Sequence, residues 1–208
     1  MGAQHADALL VDAGTGNLHS VAHALRCLGF TVQIITEPGG LRHGGRVILP
    51  GVGAFAAFMS GLQQRGLAGA LLEIARRGDP LLGICVGMQA LFTMGEEMGQ
   101  HTGLDLLPGR VARFPDFPDR KVPHTGWNQL WFEQDCPLLE GIAAGAYAYF
   151  NHSYYCQPDN PSDTLAHTDY GIDFASVVWR QNLWGVQCHP EKSQRVGLRI
   201  LANFIRTT

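Results

Sequence analysis

Short apolar runs alternate with amphipathic stretches through the first half of the chain. Ala8 to Asp12 is an apolar run ending at Gly14-Thr-Gly-Asn17, after which Leu18, Val21, Ala22, Leu25 and Leu28 recur at helical spacing. This predicts strand, loop and amphipathic helix. The alternation continues with strands over Val32 to Ile35, Val47 to Leu49 and Leu81 to Ile84, and with helices over Phe55 to Met59 and Leu67 to Arg77. Strands that alternate with helices imply a parallel sheet covered on both faces, because each crossover helix buries its apolar stripe on the sheet.

From about Val111 the pattern changes. Aromatic and β-branched runs at Leu130 to Phe132, Ala146 to Tyr155, Thr164 to Thr168, Ala175 to Arg180 and Leu183 to Cys188 predict a β-rich, more antiparallel half. Pro115, Pro118 and Pro123 mark a loop between the halves. Within Gln194 to Thr207, Val196, Ile200, Leu201 and Phe204 repeat at helical spacing, so a terminal helix is expected to pack back on the sheet.

Composition narrows the class. With 208 residues, 46% hydrophobic and only 16% charged, one domain spanning residues 1–208 with a sizeable core is expected. The net charge of −3 and the lack of any long Lys or Arg run count against a nucleic-acid partner. The start, MGAQHAD, is polar, and no apolar segment approaches the roughly 20 residues that span a bilayer, so no membrane association and a cytoplasmic location are expected. The five cysteines, Cys27, Cys85, Cys136, Cys156 and Cys188, form no Cys-x-x-Cys pair. Reduced thiols are expected, with no disulfide framework and no metal site.

The chemistry concentrates in two segments. In Pro80 to Phe92 an apolar strand runs into Gly83-Ile84-Cys85-Val86-Gly87 and then a helical pattern, which is a nucleophile elbow with cysteine at its centre. The sharp turn projects the central side chain, and glycines two residues either side keep Cβ atoms out of a crowded approach. A following helix N-terminus would favour the thiolate form of Cys85. In Leu183 to Glu191 a second apolar strand delivers His189 and, across Pro190, Glu191. If the chain stays extended there, alternation places both on one side, with Cys188 facing the other way as packing. A thiol nucleophile needs an imidazole to move its proton and a carboxylate to fix the imidazole tautomer, and Cys85, His189 and Glu191 supply those roles. His152 is the second candidate base.

Acyl transfer also needs donors at a developing oxyanion. The Val86 N–H, next to the nucleophile, is one candidate, and Gly51 or Val52 in the glycine-rich loop of Val47 to Phe55 is the other. A dinucleotide reading of Asp12 to Asn17 fails on spacing, since the third glycine of that fingerprint would fall at His19.

With these residues assembled, the chain resembles the class I (triad) glutamine amidotransferases through Gly83-Ile-Cys85-Val-Gly-Met-Gln89 and Gly185-Val-Gln-Cys-His189-Pro-Glu191. More narrowly, it resembles the glutaminase subunits of imidazole glycerol phosphate synthase. Gly14-Thr-Gly-Asn17, Leu49-Pro-Gly-Val-Gly-Ala-Phe55, Pro123-His-Thr-Gly-Trp-Asn128, Phe150-Asn-His-Ser-Tyr154 and the continuation Lys192-Ser193-Gln194 carry that likeness. Val86 and Cys188 depart from it, standing where such proteins usually have leucine and phenylalanine. The resemblance implies a three-layer, flavodoxin-like α/β fold with a parallel core and antiparallel additions in the C-terminal half.

It further implies hydrolysis of L-glutamine to glutamate and ammonia through a Cys85 thioester, without metal or organic cofactor. Gln89, Glu97, Ser153 and Tyr154 would hold glutamine, and a peptide of the Gly51 to Gly53 loop, with Gly53 beside the substrate, would reorient to complete the oxyanion hole. Ammonia would pass to a cyclase on a separate (β/α)₈ barrel, a unit of about 250 residues for which this chain has no room. Activity would stay low until that partner and its nucleotide substrate bind. Asn17 is expected to face the partner, together with Trp127, Asn128 and His152 from a Pro123 to Asn128 loop and the Asn151 to Tyr154 region. Two alternatives stand beside this. One is a glutaminase for anthranilate, aminodeoxychorismate or pyridoxal phosphate synthesis, against which the Trp127-Asn128 and His152-Ser153-Tyr154 segments count. The other is a catalytically silent subunit of the same fold, against which the intact triad counts.

Overall fold

The computed structural model describes residues 6–206. Residue 207, included in the expected terminal helix, and residues 1–5 of the polar start lie outside the described residues. The chain runs β1 (Ala8–Val11), α1 (Leu18–Cys27), β2 (Val32–Ile35), β3 (Val47–Gly51), α2 (Phe55–Gln64), α3 (Leu67–Arg77), β4 (Leu81–Cys85) and a single helical turn, α4 (Val86–Gln89). It continues through β5 (Phe92–Gly95), β6 (His101–Thr102), β7 (Leu107–Arg113), β8 (His124–Leu130), β9 (Ala146–His152), β10 (Tyr154–Pro158), β11 (Thr164–Asp169), β12 (Asp173–Arg180), β13 (Leu183–Val186) and α5 (Gln194–Arg206).

The main sheet has the order β2-β1-β3-β4-β13-β12-β10-β7-β5-β6, with β11 added on β12. Its first five strands are parallel, in the strand order of a flavodoxin-like doubly wound sheet. The strands β1, β3, β4 and β13 are buried along their whole length, as expected of strands covered on both faces. Right-handed crossovers leave β1 and β3 in opposite directions along the sheet, which puts α1 on one face and α2 with α3 on the other; α5 closes over α1. Beyond β13 the sheet turns antiparallel through β12, β10 and β7, so the expected division into a parallel and an antiparallel half is present.

Two local expectations are corrected. The run after Cys85 was expected to continue as a helix, yet α4 is one turn and the chain straightens into β5. The competing interaction is non-local: Leu106 and Leu107 N–H both donate to the Leu91 carbonyl at 2.9 Å, drawing this segment to β7. The Pro123 to Asn128 segment was expected to be a loop, yet His124 to Leu130 is β8, paired residue for residue with β9 in a separate antiparallel ribbon.

The glycines around the elbow show how tightly β3, β4 and α4 pack. A Cβ on Gly87 would stand 1.8 Å from the Leu49 carbonyl oxygen, one on Gly83 2.5 Å from the Gly87 oxygen, and one on Gly51 2.6 Å from the Gly87 nitrogen. The nearest obstacle is backbone in each case, which cannot step aside; at Gly51 the Phe58 ring also stands 2.7 Å away. Gly87→Ala is therefore expected to cost about 3 kcal/mol or more. Chemical denaturation would reveal this, and a loss below about 1 kcal/mol would mean that the two segments separate easily.

Candidate active site

Cys85 is the last residue of β4, with φ 54° and ψ −113°. A non-glycine residue in this region carries about 1–3 kcal/mol of backbone strain. The turn is held because α4 is pressed onto β3 as described, and it aims the side chain into a cavity of about 710 Å³. The wall of that cavity is assembled from segments that follow the parallel strands: Gly16 and Asn17 after β1, Val52 and Gly53 after β3, Val86 after β4, and His189 after β13. Carboxyl ends of parallel strands in such a sheet are where ligands bind, since the loops diverge there and leave a crevice.

His189, the expected base, reaches the cavity by a different backbone route. β13 ends at Val186, and Pro190 to Lys192 form a 3₁₀ turn, so the chain does not stay extended to Glu191. The turn nevertheless brings Glu191 back to the ring: His189 Nδ1 lies 3.0 Å from Glu191 Oε1. A hydrogen bond with the Cys85 side chain also favours the charged form of the imidazole. Burial opposes charge on His189, but hydrogen bonds and charge from Cys85 and Glu191 outweigh it and raise its pKa to about 9. Glu191 responds in the complementary sense: burial acts to raise its pKa, while the bond and charge of His189 and the bond from Asn17 leave it lowered. The other buried thiols, Cys136, Cys156 and Cys188, are all pushed up by burial, which disfavours their thiolates.

The proposed glutamine contacts Gly53, Gln89, Glu97, Ser153 and Tyr154 all line the cavity. Glu97 also accepts from the Phe55 N–H at 2.6 Å, satisfying one of the unpaired amides that open α2. Of the oxyanion candidates, Val86 and Val52 reach the cavity, whereas Gly51 lies within β3 opposite Cys85 and serves the close approach of Gly87 instead. Gly53 has φ +87° with open space around it, a backbone conformation that favours glycine.

Strand alternation divides the residues expected to face a partner. Trp127 is 46% exposed on the outer face of the ribbon, across from Tyr149. Asn128 and His152 lie on its inner face; His152 is buried, and the Asn128 amide donates to the Asp169 carbonyl at 2.8 Å. Asn17 borders the cavity, but its amide donates to Glu191 Oε1 at 2.9 Å, so it holds the triad carboxylate.

Sequence reasoning missed Gln187 and Ser193. Gln187 is fully buried and points its Nε2 at Cys85 Sγ from 3.7 Å. Ser193 donates to the His189 carbonyl at 2.7 Å and accepts from the Tyr149 N–H at 2.9 Å, while His189 N–H donates to the Tyr149 carbonyl. Together they pin the base's backbone to β9. Alternation puts Gln187 on the His189 side of the strand, opposite Cys188, so a signal for it was present in the sequence.

A nucleophilic thiol on a strained elbow, an imidazole oriented by a carboxylate and a polar cavity at the carboxyl edge of a flavodoxin-like sheet define a cysteine-dependent amide hydrolase. The chain belongs to the class I glutamine amidotransferases, whose family model matches residues 9–207. It is 52% identical to the imidazole glycerol phosphate synthase subunit HisH of Moorella thermoacetica and 50% identical to that of Desulfitobacterium hafniense, each match covering 94% of this chain and 92% of the relative. The fold is that of a solved glutamine amidotransferase (TM-score 0.74, 19% identity, 96% and 99% of the two chains) and of a chain of the PurLQS structure from Thermotoga maritima (TM-score 0.72, 16% identity, 96% and 97%).

The charged His189–Glu191 pair links stability to pH. A histidine whose folded pKa is raised stabilises fully below its unfolded value near 6.5 and loses that contribution as pH climbs through about 9. Glu191, lowered on folding, contributes above its unfolded value near 4.5 and loses this as pH falls through its folded pKa. Denaturation curves of wild type and Glu191→Gln are therefore expected to differ most between about pH 5 and 6.5, and the gap to narrow as pH passes 9. A gap that grew toward high pH would contradict this assignment.

Proposed function

We propose that this chain is the glutaminase subunit of an imidazole glycerol phosphate synthase and feeds ammonia to a cyclase subunit carried on a separate (β/α)₈ barrel. The observation that carries the reading is Cys85 and His189, the latter backed by Glu191, opening into one cavity with Gln89, Glu97, Ser153 and Tyr154. The curated relatives at about half identity over nearly the whole chain bear the name of that subunit.

The reaction follows from the geometry. With the proton already held on His189, the Cys85 sulfur attacks the side-chain amide carbon of glutamine. Negative charge collects on the former carbonyl oxygen, next to the Val86 N–H and an amide of the Val52–Gly53 loop. As the intermediate collapses, His189 gives the proton to nitrogen and ammonia leaves, with a thioester on Cys85. A water molecule, deprotonated by His189, then attacks the thioester carbon; sulfur leaves, the proton stays on His189 and glutamate departs. Glu191, itself held by Asn17, stabilises the imidazolium in both halves.

The cavity mouth is bordered by Pro123, Asn151 and Lys192, and the outer ribbon face beside it bears Trp127, Tyr147 and Tyr149. Trp127 and Tyr147 are exposed, and Lys192 Nζ sits 5.7 Å from the centre of the Tyr149 ring. Exposed aromatics around an active-site mouth suit a docked subunit that receives the product directly.

Glutaminase assays of wild type and Cys85→Ala, each with and without the cyclase and its nucleotide substrate, test the assignment. Stimulation only in the full complex and a loss of roughly three orders of magnitude or more in the variant are expected. Stimulation by an anthranilate or aminodeoxychorismate synthase instead would reassign the partner. Trp127→Ala is expected to weaken cyclase binding about tenfold or more with unstimulated turnover unchanged; undiminished binding in a titration would move the interface elsewhere.

A further inference from the structure

Two buried histidines, His124 and His152, take no part in the mechanism above, yet they lie between the ribbon and the cavity. Their rings meet at 3.1 Å, His124 Nδ1 to His152 Nε2, packed among Phe114, Phe150 and Phe174. The groups at each end settle where the protons are. On the ribbon side, Asn128 Oδ1 accepts from the Gln129 N–H at 2.8 Å and Nδ2 donates to the Asp169 carbonyl, so the amide cannot be reversed. Its Nδ2 also faces His124 Nε2 at 3.3 Å, which makes that ring nitrogen an acceptor and puts the His124 proton on Nδ1. On the cavity side, His152 Nδ1 is 2.8 Å from the Tyr154 carbonyl, which can only accept, so the His152 proton is also on Nδ1 and its Nε2 is free to accept from His124. Both ends independently require the same arrangement.

The line continues past Tyr154. Gln89 Nε2 donates to the same carbonyl at 3.0 Å and to Gln187 Oε1 at 3.1 Å, which leaves Gln187 Nε2 turned toward Cys85 Sγ. We propose that His124 and His152 are positioning residues of the glutaminase: a one-way hydrogen-bond relay that fixes the Tyr154 carbonyl, and through it Gln89 and Gln187, against the nucleophile. Because the relay begins on β8 one residue from Trp127, it also links the ribbon to the glutamine site, a consequence that rests on the partner reading above. The relay requires both rings neutral, since a second proton on either would set N–H against N–H. Burial supplies that condition, holding His124 down at about 4 and His152 at about 3, with Arg120 adding for the first and His124 and His189 for the second.

The test uses the full chain without a partner, so its outcome is separable from the choice of synthase. Nitrogen-15 NMR of the imidazoles is expected to show both rings neutral and protonated on Nδ1 from about pH 8 to about pH 5. Either ring found charged, or protonated on Nε2, overturns the relay. In parallel, Cys85 is alkylated by a glutamine-like chloroketone, which needs the substrate pocket, and by iodoacetamide, which does not. His124→Phe is expected to slow the first about tenfold, the cost of one displaced buried hydrogen bond, and the second by less than about twofold. His124→Asn, whose amide nitrogen takes the place of Nδ1, is expected to recover most of the chloroketone rate. Equal slowing of both reagents, or no recovery in His124→Asn, would reduce the pair to core packing and overturn the proposal.

Discussion

The structure turns on a contact between backbones. Gly87 lies so close to the Leu49 carbonyl that no Cβ fits between them, and Gly83 and Gly51 are bare for the same reason on either side. This contact keeps Cys85 at positive φ at the end of a fully buried strand, with its side chain turned out of the core and into the cavity. If the approach relaxed, the elbow would open toward ordinary dihedral angles and the sulfur would swing away from His189. Strain at the nucleophile is thus borne by the packing of β3 and β4, which are among the most completely buried strands of the sheet.

The rest of the site is an accumulation of parts at one edge. Parallel strands all end on the same side, so loops distant in sequence converge there without any one of them being long. Glu191 receives Asn17 from the first βα loop, and His189 is fastened to β9 through Ser193 and Tyr149. Charge on His189 is favoured by its partners despite burial, so its proton is available for a departing amine, while the neighbouring His124 and His152, without a carboxylate, are held neutral. Histidines in one connected region thus differ in charge because their hydrogen-bond partners differ.

The ribbon shows where pattern reading fell short. Pro123 to Asn128 carries proline, glycine, asparagine and threonine, which are loop formers by local propensity, and only its pairing with Ala146 to His152 makes it a strand. Once it is a strand, alternation separates Trp127 from Asn128, and residues grouped together as a binding surface fall on opposite faces. The short helix after Cys85 failed for a related reason, since apolar residues at helical spacing were recruited by β7. In both cases a non-local hydrogen-bond ladder overrode a local preference.

The order of strands and helices in the first half, the elbow with its glycines, and the residues proposed as nucleophile, base and carboxylate were all legible in the sequence, because each rests on short-range periodicity or on steric needs within a few residues. Tertiary structure alone decided that a 3₁₀ turn brings Glu191 to His189, that the Asn17 amide reaches Glu191, and that His124 and His152 face each other inside the ribbon. Those outcomes depend on which distant segments come to lie side by side, and a hydrogen bond between residues 174 apart leaves no trace in local spacing.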